Sequence, residues 1–397
     1  MNLYDAINAG GNLLSTGTLT QTINIDKANT VTLTFNGVVA SLSLALSASA
    51  LTEGKSSGVT ITVKALDADG NTIVGPGSYA DANGNPLTLT LADSDTPPGA
   101  TTLSQTSLTA PPTAAITLSY TGAVLARDPS ITLAGGTVPS KNASLSVIQK
   151  LYVTNYNTGG LVTYDTTGAT STLTIGSLSS PEGVAVDGSG NIYVVNDGTS
   201  SVLTYNASGT SAPLASPITG LNQQPWGIAI DATGKIYVTN FGDSMLMTYT
   251  STGAPTTPTI STGLSGPQGI ALDASGNIYV ANTTGNTVTE YTSSGGSSGP
   301  TITAGLSTPA GIAIAPSGDI YVANPGNNTV TTYTPTGTQT TPTITTGTGP
   351  RGVAADADGN IFVANFKGNT VTEYNGTSGA LITTITDANG PYGLAIH

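Results

Sequence analysis

The chain contains no cysteine. Disulfides, thiolate metal sites and a cysteine nucleophile are therefore excluded. Basic residues are scarce as well: 9 Lys+Arg stand against 22 Asp+Glu, giving a formal net charge of -13 and a pI near 4.1. So few cations cannot neutralise a run of phosphates, which argues against nucleic-acid and anionic-lipid partners. Charged residues of both signs reach only 8% of the chain, against roughly 25% in an average soluble domain. There is one histidine, His397, so a Ser-His-Asp triad has little to be built from. No apolar run is long enough to cross a membrane, and nothing after Met1 reads as a secretory leader.

Ser, Thr, Asn and Gly fill the place of the missing charge. The 50 Gly and 23 Pro supply turns, and alternating Thr and Val favour strands. Disorder is the competing reading of such a composition. It is set aside because 38% of residues are hydrophobic and recur periodically, with mean hydropathy +0.09. Low lysine and tandem β-modules suggest an exported protein, extracellular or at the cell surface, whose leader is not in this sequence.

A pair of motifs recurs six times in fixed order. Pro-x-Gly followed by a short apolar run begins at Pro181, Pro225, Pro267, Pro309, Pro350 and Pro391. The second, (Leu/Ile)-(Tyr/Phe)-Val-x-Asn, ends at Asn155, Asn196, Asn240, Asn282, Asn324 and Asn365. Successive prolines lie 41–44 residues apart. A period of about 40–45 residues made of short strands marks propeller blades rather than a helical solenoid. Each copy reads as an inner strand, an Asp-x-x-Gly turn, a second strand, a loop, a third strand and a looser Thr/Pro-rich outer strand. The copies are out of phase at the ends: Leu151-Tyr-Val-Thr-Asn has no inner strand before it, and Pro391-Tyr-Gly-Leu-Ala-Ile-His has nothing after it. Pairing these two completes one blade and leaves no open edge at the seam. The expected fold is all-β: a β-sandwich over 48–148, then a six-bladed β-propeller over 149–397 closed by its C-terminal strand. Residues 1–47 are a β segment of uncertain affiliation, with strand-like runs at Thr18 to Ile25 and Thr30 to Leu46.

The repeat resembles the NHL family of six-bladed propellers, whose blades read Pro-x-Gly-(Val/Ile)-Ala-(Val/Ile)-Asp and then Gly-Asn-(Ile/Leu)-Tyr-Val-Ala-Asp. Here Asn replaces the final Asp in all six copies. The resemblance implies a fold more than a job, since such propellers serve as binding platforms and also host lyases and lactonases. Upstream, Gly58-Val-Thr-Ile-Thr-Val-Lys-Ala-Leu followed by Asp67-Ala-Asp-Gly-Asn resembles bacterial immunoglobulin-like modules of the invasin type. Alternation continues at Leu87-Thr-Leu-Thr-Leu, Ala115-Ile-Thr-Leu-Ser-Tyr and Ala143-Ser-Leu-Ser-Val.

In a propeller, the loops that enter the inner strand and leave the second strand open on one face. Two variable positions crowd that mouth. Between Pro and Gly stand Glu182, Trp226, Gln268, Ala310, Arg351 and Tyr392; after the repeated Asn stand Tyr156, Asp197, Phe241, Thr283, Pro325 and Phe366. Aromatic and Arg side chains on a rigid mouth suit protein, peptide or glycan recognition. Glu182, Trp226, Gln268, Arg351, Tyr392, Tyr156, Asp197, Phe241 and Phe366 are the candidate ligand-binding residues. The bland alternative is that these positions are merely unconstrained. The Asn ring reads as structural, each Asn bonding loop backbone. Asp67-Ala-Asp-Gly-Asn and Asp356-Ala-Asp-Gly-Asn look superficially like calcium loops, yet lack the ligand spacing and distal Glu; hairpin turns fit better. No cofactor, metal or catalytic residue is implied, and a monomer is expected. The alternative function is a metal-assisted lactonase or lyase built on Glu182 and Asp197.

Overall fold

The computed structural model describes residues 2–4, 13–16, 36–52, 55–74, 77–95, 99–122, 128–221, 224–387 and 389–397. Contacts divide the chain into two compact units, Met1–Ile148 and Gln149–His397. Regular structure among the described residues is β-strand, apart from a 3-10 turn at Asp197–Thr199. Among the described residues no helix is long and apolar enough to cross a membrane.

In the first unit, Ser57–Leu66 shows the expected alternation: Val59, Ile61, Val63 and Ala65 are buried while Thr60, Thr62 and Lys64 are exposed. It pairs antiparallel with Ser41–Leu46 on one side and Ile116–Tyr120 on the other, and Thr101–Leu103 completes that sheet. A second antiparallel sheet orders Ser107–Leu108, Leu89–Asp93, Ser130–Gly135 and Val138–Ser144. The inward residues of both sheets form one apolar cluster, which includes Val59, Leu89, Ile116 and Ile131. Ser41–Leu46 lies before residue 47 yet belongs to this sheet, and Leu42 is buried in the shared cluster. The strand-like run at Thr18 to Ile25 lies outside the described residues.

Among its described residues the second unit holds six antiparallel sheets, five of four strands and one of three. The first sheet is Lys150–Asn155, Gly160–Asp165 and Thr170–Ile175, with Pro391–Ile396 paired against Lys150–Asn155. The second has Pro181–Val186, Ile192–Asn196 and Ser201–Tyr205. Its outer position carries only isolated bridges, Ser201 with Thr219 and Tyr205 with Ser211. The remaining sheets begin at Pro225–Ile230, Pro267–Leu272, Ile312–Ile314 and Pro350–Ala355.

These six inner strands approach backbone to backbone, and the Gly of Pro-x-Gly is what allows it. A Cβ on Gly183 would lie 2.6 Å from the carbonyl oxygen of Trp226 in the next sheet. The same holds at Gly227 against Gln268 (2.3 Å), Gly269 against Ala310 (2.2 Å) and Gly311 against Arg351 (2.3 Å). Gly352 faces Tyr392 (2.4 Å), and Gly393 faces Glu182 (2.3 Å), which returns to the first member of the series. The contacts are therefore cyclic. The glycines and following apolar residues of all six strands line one narrow cavity, with Trp226 also in its wall.

Candidate functional site

Each mouth position is pinned by backbone before its side chain does anything. The residue after the repeated Asn donates its N–H to the carbonyl just before the Pro: Asp197 to Ser180, Phe241 to Gln224, Thr283 to Gly266, Phe366 to Gly349 and Tyr156 to Gly390, at 3.0–3.2 Å. Pro325 occupies the sixth place and has no N–H to give. The residue before the Pro has positive φ in all six copies, including the non-glycine Ser180, Gln224 and Thr308. That left-handed step turns the chain into the inner strand and brings the two variable positions together.

Three of the six repeated Asn hold the same loops. The side-chain oxygens of Asn155, Asn240 and Asn365 are instead buried without a partner among the described residues, so the expected ring is only partly a loop tie. Asn196, Asn282 and Asn324 accept from the backbone N–H of Ser179, Ser265 and Ser307 at 2.7, 3.1 and 2.9 Å. Asn282, Asn324 and Asn365 also donate to third-strand threonines, such as Thr331 at 3.0 Å. The turn aspartates are committed in the same way: Asp67 and Asp356 each accept from backbone N–H groups two and four residues ahead. Among the described residues, no three His, Cys, Asp or Glu side chains converge as a metal site.

The candidate residues, with Ala310 beside them, divide into a floor and a rim. Glu182, Trp226, Gln268, Ala310 and Tyr392 are buried, at 6, 7, 8, 0 and 8% exposure. Tyr156, Asp197, Phe241, Arg351 and Phe366 are half-buried around them. Tyr392 is the hub. Its ring centroid lies 5.2 Å from Tyr156 (stacked), 5.2 Å from Phe366 (edge-on) and 5.3 Å from Trp226. The Arg351 guanidinium carbon lies 5.5 Å from the same ring, within cation–π range. Trp226, Ala310 and Tyr392 pack as one cluster with Tyr156 and Phe366 against it, so the small Ala310 gives the two large rings their room. Phe241 is placed apart from this cluster, beside Gly266.

Electrostatics centre on Glu182. Burial, then the Asp197 carboxylate, push its carboxyl up to about 8; Arg351 and a hydrogen bond from Tyr392 only partly offset this. Burial also raises Asp197. Burial and the neighbouring Glu182 carboxylate raise the Tyr392 phenol, which accepts a hydrogen bond from Trp226. Trp226, Tyr392 and Glu182 are therefore packing and electrostatic neighbours. Sequence reasoning named all three residues but not their connection, because Tyr392 reaches Glu182 only through the meeting of the last and first inner strands. His397 takes no part at the mouth: it pairs through its backbone with Lys150 at the far end of that last strand.

Two features away from the mouth escaped the sequence reading. Glu373 is buried, and burial together with Asp356 pushes it up to about 7. In the equivalent pair, Tyr279 hydrogen-bonds Glu290, whereas Phe362 stands opposite Glu373 and offers nothing. A cavity of about 300 Å³ lies at the turn end, between Ala315–Tyr321 and Ala357–Gly359. Ala315 holds the place of a turn Asp there, and the Tyr321 hydroxyl donates instead to Gly376 O. This cavity is larger than the axial one and shares no residue with the mouth.

Solved structures with the same arrangement decide the architecture. The chain superimposes on one in a nidogen/laminin complex with a TM-score of 0.53 and 19% identity, covering 62% of this chain and 98% of that one. A protein of unknown function from Bacteroides caccae gives a TM-score of 0.53 at 13% identity, covering 63% and 98%. The six-sheet unit is a β-propeller. Virginiamycin B lyase from Staphylococcus aureus superimposes less well, with a TM-score of 0.44 at 18% identity over 62% and 77%. No protein-family description matches the chain, and no curated protein matches it.

Proposed function

We propose that this is an exported binding protein whose propeller mouth recognises a protein, peptide or glycan partner. In this reading the six sheets are the blades of an NHL-type propeller. The unit before it is an immunoglobulin-like module that presents the propeller as a monomer outside the cell or at its surface. The observation that carries the proposal is the mouth itself: half-exposed Tyr156 and Phe366 seated on the buried pair Trp226 and Tyr392, with Arg351 over the Tyr392 ring. Rigid aromatic anchors surrounded by a polar rim are the usual basis of recognition energy. A metal-assisted lactonase or lyase has weaker support. The Asp197 carboxylate does act on Glu182, but no third acidic or imidazole side chain joins them among the described residues.

The test is an array of peptides and glycans probed with the full chain and with a Tyr156→Ala/Phe366→Ala double variant. Both residues are half-buried, so the variant is expected to fold. Ligands that bind the native chain and lose the double variant, at unchanged melting temperature, support the mouth. Ligands that bind both equally place recognition elsewhere and contradict it.

A further inference from the structure

The floor of the mouth contains two hydrogen-bond acceptors that nothing satisfies. Glu182 Oε2 and Gln268 Oε1 are buried and have no partner among the described residues. They stand on either side of Trp226 in the cyclic order of inner strands, and both side chains are more than nine-tenths buried. The Tyr392 hydroxyl and the Trp226 indole are the neighbouring polar groups, and both act on the Glu182–Tyr392 pair. A buried acceptor left without a donor is a standing cost to the folded state. A ligand that relieves it must bring donors.

Ammonium and guanidinium groups are the common biological groups that donate and never accept. A sugar hydroxyl both donates and accepts, so it matches a pair of bare acceptors less well. The rest of the site favours a cation as well. The faces of Tyr392 and Tyr156 attract positive charge, as Arg351 over Tyr392 already shows. Asp197 adds a second carboxylate beside Glu182. A chain of net charge -13 draws basic partners towards it.

We propose that the mouth captures a lysine or arginine side chain of a partner peptide, with the Glu182 carboxyl and the Gln268 side-chain carbonyl accepting from its charged group. The proposal rests on the binding reading above and names its ligand chemistry. Arg351 is then an occupant of the free state: it partly neutralises the floor, and an incoming cation competes with it. The charged and titratable groups facing Glu182 are Asp197 from its own sheet, Arg351 from the sixth sheet and Tyr392 from the first. With its carboxyl pushed up to about 8, Glu182 must shed a proton to hold a cation well. Capture therefore strengthens as pH rises from 6 to 9.

Trp226 is the only tryptophan and reports directly. The experiment titrates the full chain with acetyl-Gly-Arg-Gly-amide and with the neutral citrulline counterpart, reading tryptophan emission at pH 6 and pH 9. The expected result is saturable binding of the arginine peptide, stronger at pH 9, and weaker binding of the citrulline peptide by roughly tenfold or more. Glu182→Gln, close in shape and fit to fold, should weaken the arginine peptide comparably at pH 9 and remove the pH dependence. Arg351→Gln should tighten it. Equal binding of the two peptides, no response to the arginine peptide, or undiminished binding by Glu182→Gln overturns the proposal. Array ligands that lose Tyr156→Ala/Phe366→Ala but carry no cation would sink this proposal and leave mouth recognition standing.

Discussion

The hydroxyl of Thr154 donates to the carbonyl of Glu182 at 2.6 Å, and the two residues belong to different sheets. The same oxygen accepts from the N–H of Gly393 at 2.8 Å. One side chain therefore links the first sheet, the start of the second and the last strand of the chain. Thr239 repeats the arrangement with Gln268 O and Gly227 N. The other four copies have Val195, Ala281, Ala323 and Ala364 at this place and no hydroxyl to offer. Thr154→Val keeps the shape and removes both bonds inside a buried contact. It should cost about 1–3 kcal/mol, read as a lower urea midpoint at unchanged slope; an unchanged midpoint would mean the link carries no stability.

Gly393→Ala probes the same junction through sterics. The added carbon would sit 2.3 Å from Glu182 O and 3.0 Å from the Gly183 Cα, and neither backbone can step aside alone. A loss of about 1–3 kcal/mol or more is expected. Gly188→Ala, whose added carbon meets nothing within 4 Å, is the control and should melt near the native temperature. Equal melting of the two variants would contradict the cyclic backbone contact.

The repeat was legible because backbone chemistry enforces it. Pro opens the inner strand, Gly lets neighbouring strands meet, and in three copies the Asn ties down the loop before them; the first two functions tolerate few residue types, so the motif shows through. The division of the mouth into floor and rim was not legible. In sequence Glu182 and Arg351 are equivalent members of one variable series, yet one is buried and the other half-exposed. Nor could Tyr156 and Phe366 be read as neighbours: they stand far apart in the chain and meet edge-on at 6.0 Å only because the first and last sheets adjoin. The left-handed residue before each Pro was hidden for a related reason, since Ser180, Gln224 and Thr308 do not advertise positive φ as a glycine would.

Glu182 carries a pH signature of stability. Its carboxyl is raised from 4.5 to about 8 by folding, so between those values the folded chain binds more protons than the unfolded one. Stability from this group is complete below about pH 4.5 and declines as pH rises through about 8. Glu182→Gln removes the decline. The variant should match the native chain near pH 4 and exceed it by an amount on the order of a few kcal/mol at pH 9. Parallel stability curves for the two proteins would show that Glu182 titrates normally.

Glu373 offers an independent check on the same physics. Phe362→Tyr places a hydroxyl opposite it, in the register where Tyr279 meets Glu290. The new bond should pull Glu373 down from about 7 and raise stability at pH 8 by about 1 kcal/mol. A lower melting temperature would show that the core around Phe362 has no room for the oxygen.

The mouth is the centre of this account, and its single tryptophan makes it directly visible. The chain should give one tryptophan indole N–H resonance, from Trp226, protected from solvent exchange because the residue is 7% exposed. Titration with the arginine peptide should move that resonance to a saturating end point in the native chain and leave it still in the Tyr156→Ala/Phe366→Ala variant. A partner that binds while the Trp226 resonance stays unmoved would mean that recognition happens elsewhere on the molecule.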